Sequence, residues 1–231
     1  MRREWTAAGS ERDHCPAILL AAGASQRMGA VKALLPLESG VPAVCHLARL
    51  YESQGGECVV VTGYHAEAVE AAVAGCGSGR AVRNPEPERG QLSSLQCGLR
   101  ALAARSPRPE WFLFAPVDCF DVTAEALAAL REARRHAAPE TLFCIPEYRG
   151  KHGHPVAARW AMAEAFLALA PSESARTVVR SYRDRSVYVP MAEAGTLLDY
   201  DTPEAFGQRG SGSAAPVPGE GRLRGSGKSR A

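Results

Sequence analysis

Residues 111–117 run Trp-Phe-Leu-Phe-Ala-Pro-Val without a polar interruption and stop at Asp118. A strand wetted on one face alternates apolar and polar residues, so a run with no polar face must be covered on both sides. Residues 16–21 and 58–62 are built the same way. Between these runs lie segments of helical period: 42–54, with Val44, Leu47, Ala48 and Tyr51 on one face, then 67–74 and 92–104. Shorter strands are predicted at 81–83, 141–145, 154–158 and 186–189, the middle two flanking a glycine-rich turn at 149–153. Helices are predicted at 160–168, at 174–182 and at 123–136, the last capped by Thr123. A final helix opens at Thr202-Pro203, with the proline in its first turn. Strands alternating with helices predict an α/β fold: a mainly parallel sheet with helices on both faces, in three α/β/α layers.

A chain of 231 residues suits one domain, expected at 15–206. Residues 1–14 are charged, lack the apolar centre of a signal peptide and are expected to be disordered. Residues 207–231, rich in Gly, Ser, Pro and Arg, are expected to form a flexible tail. The whole chain carries +2, but the tail alone carries +4, which leaves −2 on residues 1–206. That balance excludes a basic nucleic-acid surface as the working face. No apolar run reaches the length that spans a bilayer, so no membrane partner is expected. Seven scattered cysteines with no Cys-x-x-Cys pair suggest a reduced, cytoplasmic protein without structural zinc.

In open parallel sheets ligands bind beyond the carboxyl ends of the strands. After the first strand comes Leu20-Ala21-Ala22-Gly23-Ala24-Ser25-Gln26-Arg27-Met28-Gly29, with Lys32 three residues on. Small residues let backbone N–H groups approach a phosphate, and Arg27 and Lys32 supply the cationic charge that a triphosphate needs. The spacing fits neither the P-loop nor the dinucleotide fingerprint. Asp118 ends the strongest strand, where a carboxylate needs a cation partner, and it is a candidate Mg²⁺ ligand. Asp199 and Asp201 offer further carboxylates, and two residues apart on an extended segment they face one way. Capping of the following helices is the plainer alternative for these acids. Ser93 and Ser94 open a helix after Gly90 and suit a phosphate or ribose, or simple capping. His154, in Gly153-His154-Pro155, suits a substrate contact or a turn. Arg176 and Arg180 share a helix face that either meets an anionic substrate or is solvated.

These motifs, in this order and covering residues 16–206, resemble the MobA-like nucleotidyltransferases, and among them the molybdenum cofactor cytidylyltransferases. The resemblance rests on 20–32, on Gly90-Gln91-Leu92-Ser93-Ser94-Leu95, on Pro116-Val117-Asp118, and on Gly153-His154-Pro155 with Asp199-Tyr200-Asp201-Thr202-Pro203. It implies a Rossmann-like, nucleotidyltransferase-type sheet. It further implies nucleotide binding by Leu20, Ala21, Ala22, Gly23, Ser25, Ser93 and Ser94, and catalysis by Lys32, Arg27 and Asp118. Asp118, Asp199 and Asp201 would hold Mg²⁺, and His154 would line the acceptor side. Ala22, where guanylyl-transferring relatives usually have Gly, points to CTP. Phe120, followed by Asp121, departs from the proline that the family commonly carries two residues after its metal-binding Asp.

The implied reaction moves CMP from CTP to the phosphate of a molybdopterin-type cofactor, releasing pyrophosphate, with a molybdoenzyme as a partner that receives the product. The alternatives are transfer to a sugar 1-phosphate or another small phosphorylated acceptor, and a non-catalytic accessory protein that carries cofactor.

Overall fold

The computed structural model describes residues 14–37, 40–105 and 107–209. The expectations of a disordered N-terminus and a flexible tail fall almost wholly on 1–13 and 210–231, outside the described residues. The last described residue, Arg209, donates from its guanidinium Nε to Asp121.

The apolar runs become β1 (Ala17–Ala21), β2 (Cys58–Thr62) and β4 (Trp111–Pro116), each buried almost throughout. With β3 (Arg80–Arg83) they form a parallel half-sheet in the order β3-β2-β1-β4. The other half is antiparallel where it joins. β7 (Val156–Arg159) pairs β4 and β5 (Phe143–Tyr148), and β6 (Lys151–His152) folds back on β5. β8 (Ser186–Pro190) runs parallel to β5 on its opposite edge. The expectation of a mainly parallel sheet therefore holds with one insertion: the turn Arg149–Gly150, both residues at positive φ, reverses the chain and brings β7 back against β4.

Alternation within β1 distributes its side chains to two cores. Ala17, Leu19 and Ala21 pack with α1 (Ala43–Glu52), α2 (Ala66–Cys76) and α4 (Ala124–Arg135). Ile18 and Leu20 pack with α3 (Gln91–Ala103), α5 (Ala163–Leu167) and α6 (Ala175–Ser181). Three layers result, as the continuous apolar strands require. A third, smaller cluster gathers Met28, Leu37, Ala43, Phe120 and Tyr200 beneath one rim of the sheet. The last helix, α7 (Pro203–Gly207), is capped by the Thr202 hydroxyl, which accepts from the Ala205 N–H. Among the described residues no helix is long and apolar enough to cross a membrane.

Register aligns the carboxyl ends. Leu20 lies opposite Pro116, Ala21 opposite Thr62, and Thr62 opposite Arg83. Four loops therefore leave the sheet side by side: 22–31, 63–65, 84–90 and 117–122.

Candidate active site

Backbone contacts fuse these loops into one rim. The Tyr64 N–H donates to Ala22 O, the Val117 N–H to Leu20 O and the Asn84 N–H to Thr62 O. Gly63 permits the closest approach, since a Cβ there would lie 2.7 Å from both the Ala22 methyl and its carbonyl oxygen and 2.8 Å from Pro87. Within the first loop, Ser25 adopts φ +53°, a conformation uncommon outside glycine. Its carbonyl accepts from the Met28 N–H, and its hydroxyl accepts from the Lys32 N–H at 3.1 Å. Met28 is buried below, so the turn is anchored at both ends. Lys32 opens a short 3₁₀ turn, Lys32–Leu34, held by that hydroxyl.

Above the rim lies a cavity of about 590 Å³, within the range that encloses a nucleotide-sized ligand. At one end Lys32 Nζ donates to Asp118 Oδ2 at 2.8 Å and to Asp201 Oδ1 at 2.6 Å. Arg27 pairs with the other Asp201 oxygen at 2.8 Å. The glycine turn, the end of β4 and the segment before α7, far apart in sequence, thus meet at one ammonium. Burial pulls the Lys32 pKa down, but hydrogen bonds to the two carboxylates outweigh it and leave it above its usual value. Asp201 is held below the ordinary carboxylate range, chiefly by its hydrogen bond to Lys32. Asp199 is pushed up, first by burial and then by the negative charges of Asp118 and Asp201.

Capping does not account for these acids. The helix after Asp118 is capped by Thr123 and the helix after Asp201 by Thr202. One oxygen of Asp118, Oδ1, is buried with no partner. Among the described residues no group of three or more acidic, histidine or cysteine side chains is placed to hold a metal ion, and the Lys32 ammonium lies between Asp118 and Asp201; the free Asp118 oxygen offers a single carboxylate position to a hard cation, whose remaining places would fall to phosphate oxygens and water.

Leu20, Ala21, Ala22, Gly23, Ser25, Arg27, Lys32, Ser94, Asp118 and Asp201 all border the cavity. Ser93, His154 and Asp199 are not part of its wall. The Ser93 hydroxyl is turned inward: it accepts from Asn84 Nδ2 at 2.9 Å and lies 2.8 Å from Gly90 O, tying the 84–90 loop to α3. His154 packs edge-on to Phe114, with ring centroids 6.3 Å apart, and its backbone N–H donates to Thr196 O at 2.7 Å. Burial lowers its pKa, against opposing pulls from a Phe114 backbone hydrogen bond and from Asp118, so the ring is neutral near pH 7. Arg176 is exposed on α6 and close enough to His154 to affect its titration.

Several cavity residues escape a reading of the sequence, two of them with side chains suited to ligand contact. Tyr64, half exposed, and Glu88 border the end remote from the acids. Tyr64 lies two residues past the end of β2, where the rule that ligands bind beyond strand ends would have found it.

A three-layer α/β sheet whose charged cavity sits at the strand carboxyl ends is the architecture of a nucleotide-binding enzyme class. Residues 17–186 match the family model of the MobA-like NTP transferase domain, and the chain belongs to that family. It is 30% identical over 145 residues to a molybdenum cofactor guanylyltransferase of Rhodopseudomonas palustris (strain BisB5), a match covering 63% of this chain and 66% of that protein. Among solved structures it resembles a nucleotidyl transferase from Methanothermobacter thermautotroptrophicus (TM-score 0.68, 27% identity, covering 84% of this chain and 94% of that one). A protein of Mycobacterium tuberculosis H37Rv shares the fold (TM-score 0.69, 23% identity, 84% and 97% covered).

Proposed function

We propose that the protein transfers a nucleoside monophosphate, CMP from CTP, to the phosphate of a molybdopterin-type acceptor and releases pyrophosphate. The observation that carries this reading is the meeting of Lys32 with Asp118 and Asp201 at one end of a nucleotide-sized cavity. The nucleoside would occupy the end near Tyr64, Glu88 and Ser94, with the triphosphate along the glycine turn. Backbone N–H groups of 22–25 and the cations of Arg27 and Lys32 would bind its oxygens.

Asp118, through its unpartnered Oδ1, would hold Mg²⁺ together with phosphate oxygens and water, since one or two protein carboxylates suffice for this ion. When bound, the ion would neutralise charge on the triphosphate. An acceptor phosphate oxygen attacks the α-phosphorus, a new P–O bond forms, and the bond to the β-phosphate breaks with its electron pair leaving on pyrophosphate. The attacking phosphate is already ionised near neutral pH, so no general base is needed. A neutral His154 outside the cavity wall fits that economy. Rate enhancement then comes from orientation and from Lys32 and Arg27 offsetting charge on the leaving group. His154 would lie on the acceptor side.

Ala22 favours CTP, and the name of the Rhodopseudomonas relative favours GTP as the second reading. The test is pyrophosphate release from each of the four nucleoside triphosphates with Mg²⁺ and a molybdopterin-type acceptor. Release with CTP alone supports the proposal and release with GTP alone supports the second reading. No release with any of the four, with tight acceptor binding, would favour the carrier alternative.

A further inference from the structure

The N-cap position of α2 is held by a side chain that does no capping. Ser, Thr, Asp and Asn lead at such positions because a short oxygen can accept from the first free N–H groups of a helix. His65 stands there with no side-chain cap bond. The turn is closed by backbone alone, the Ala66 N–H donating to Gly63 O and the Val69 N–H to His65 O. The imidazole reaches instead to the glycine turn. Its Nε2 lies 3.1 Å from Ala24 O, and since a carbonyl can only accept, Nε2 carries the hydrogen.

This bond adds to another. Two residues earlier, Ala22 O accepts from the Tyr64 N–H at 3.3 Å. Alternate carbonyls of the glycine turn, 22 and 24, are thus both drawn to the loop after β2. A trans peptide is planar, with its C=O and the next N–H on opposite sides. The Gly23 and Ser25 N–H groups therefore turn away from that loop. β2 flanks β1 on one side, and β4, with Asp118 beyond its end, flanks it on the other. The N–H groups of Gly23, Ala24 and Ser25 have no acceptor among the described residues, and all three residues border the cavity. Unpaired backbone N–H groups along a cavity wall are the arrangement that binds phosphate oxygens. His65 itself is not part of that wall.

Ser25 also needs the tie. Its φ of +53° is a conformation that persists only where neighbours enforce it. Downstream the Met28 and Lys32 N–H groups hold its carbonyl and hydroxyl. Upstream the side chain that holds the 24–25 peptide is His65.

We infer that His65 is a positioning residue: its bond to Ala24 O fixes the peptide between Ala24 and Ser25 and so presents the Ser25 N–H to a phosphate oxygen. The inference rests on the reading of the glycine turn as the triphosphate cradle. Without the imidazole hydrogen, Tyr64 still anchors Ala22, but the 24–25 peptide is free to rotate and Ser25 to relax.

Titration calorimetry on the full chain, with Mg²⁺ and no acceptor, compares the unaltered protein with His65→Ala, His65→Phe and His65→Gln. CTP and GTP are both titrated and the tighter binder is the probe. The matching nucleoside, followed by ligand-detected NMR, reports the nucleoside end alone. His65→Ala and His65→Phe should weaken triphosphate binding about 3–10-fold, the range for one lost hydrogen bond. Nucleoside binding should stay within about twofold, less than one hydrogen bond is worth. His65→Gln, whose side-chain N–H can donate to the same carbonyl, should return triphosphate affinity to within about twofold of the unaltered protein.

Unchanged triphosphate affinity in both His65→Ala and His65→Phe overturns the inference. Equal weakening of triphosphate and nucleoside also overturns it, because the loop after β2 then only shapes the nucleoside end. A His65→Gln protein as weak as His65→Ala overturns the hydrogen bond as the cause. An unaltered protein that binds the nucleoside as tightly as the triphosphate refutes the glycine turn as a phosphate cradle, and this inference with it.

Discussion

Replacing Lys32 with methionine keeps the length of the side chain and removes the one charge that joins Asp118 to Asp201. Lys32 is 14% exposed, Asp118 18% and Asp201 38%. A hydrogen bond to a charged group contributes about 1.5–3 kcal/mol when shielded. Asp118 has no other hydrogen-bond partner among the described residues, so its share is near the lower part of that range. Asp201 keeps Arg27 at 2.8 Å and is reached by water, so its share is a few tenths of a kcal/mol. The expected loss is about 2 kcal/mol, or about 4–8 °C in Tm for a domain of this size. The pH dependence follows from the shifts. Asp201 titrates below its ordinary 3.8 in the folded state, so its contribution is present above that value and fades as pH falls through the folded pKa. Lys32 titrates above its ordinary 10.5, so its contribution is present below that value and fades as pH rises through the folded pKa. The gap in Tm between the two proteins should be flat across the neutral range and narrow by the small Asp201 share as pH falls through the folded pKa of Asp201. Thermal unfolding followed by circular dichroism at several pH values measures it, and turnover should fall about 100-fold or more. A Tm gap under about 1 °C at pH 7.5, well short of the 4–8 °C expected, refutes the ion-pair argument. Turnover retained above about a tenth refutes the catalytic role, since one lost electrostatic stabiliser costs about 10²–10³.

Three further substitutions separate the parts of the site. Gly153→Ala puts a Cβ 2.1 Å from Thr196 O, so the loop carrying His154 must shift; a stability loss of about 1–3 kcal/mol is expected in urea, as for overpacking generally, and an unchanged midpoint would contradict the close approach. Arg27→Ala removes a side chain that is 72% exposed; KM for the triphosphate should rise with almost no change in Tm, as for an exposed pair, whereas a large fall in Tm would mean that Arg27 is structural. Tyr64→Ala removes an exposed ring at the nucleoside end; nucleotide binding should weaken by about 1–3 kcal/mol, the scale of a base–aromatic stack, and equal affinity would place the base elsewhere.

The fold was legible where burial is two-sided and the chain is locally consistent. Residues 58–62 coincide with β2, and 111–117 overrun β4 by one residue, because a strand covered on both faces leaves an unbroken apolar trace. The entry of β7 against β4 was not legible. Whether a strand after a turn pairs parallel or antiparallel depends on its distant neighbour, and residues 154–158 look alike in either direction. The 3₁₀ turn at Lys32 was hidden for a related reason: a three-residue turn has no period, and the hydroxyl that holds it belongs to Ser25, seven residues back.

At the site, alternation leads to the expectation that Asp199 and Asp201 face one way; the structure buries Tyr200 between them and puts Asp201, but not Asp199, on the cavity wall. Ser93 and His154 show where such reading stops. A hydroxyl at a helix start and an imidazole after a glycine turn have the same local signature whether they face a ligand or a neighbouring chain segment. Asn84 and Gly90 engage Ser93, and Phe114 packs against His154. Phe120 is the reverse case. In sequence it is only a departure from the proline that the family resemblance leads one to expect. Its partners Tyr200 and Phe206 are about 80 residues away and carry no mark of the contact, yet the stack sits beneath the acids and fixes the segment that bears two of them. Many residues that border the cavity can thus be read from strand ends, whereas those that hold them in register are recognisable only once the chain has closed on itself.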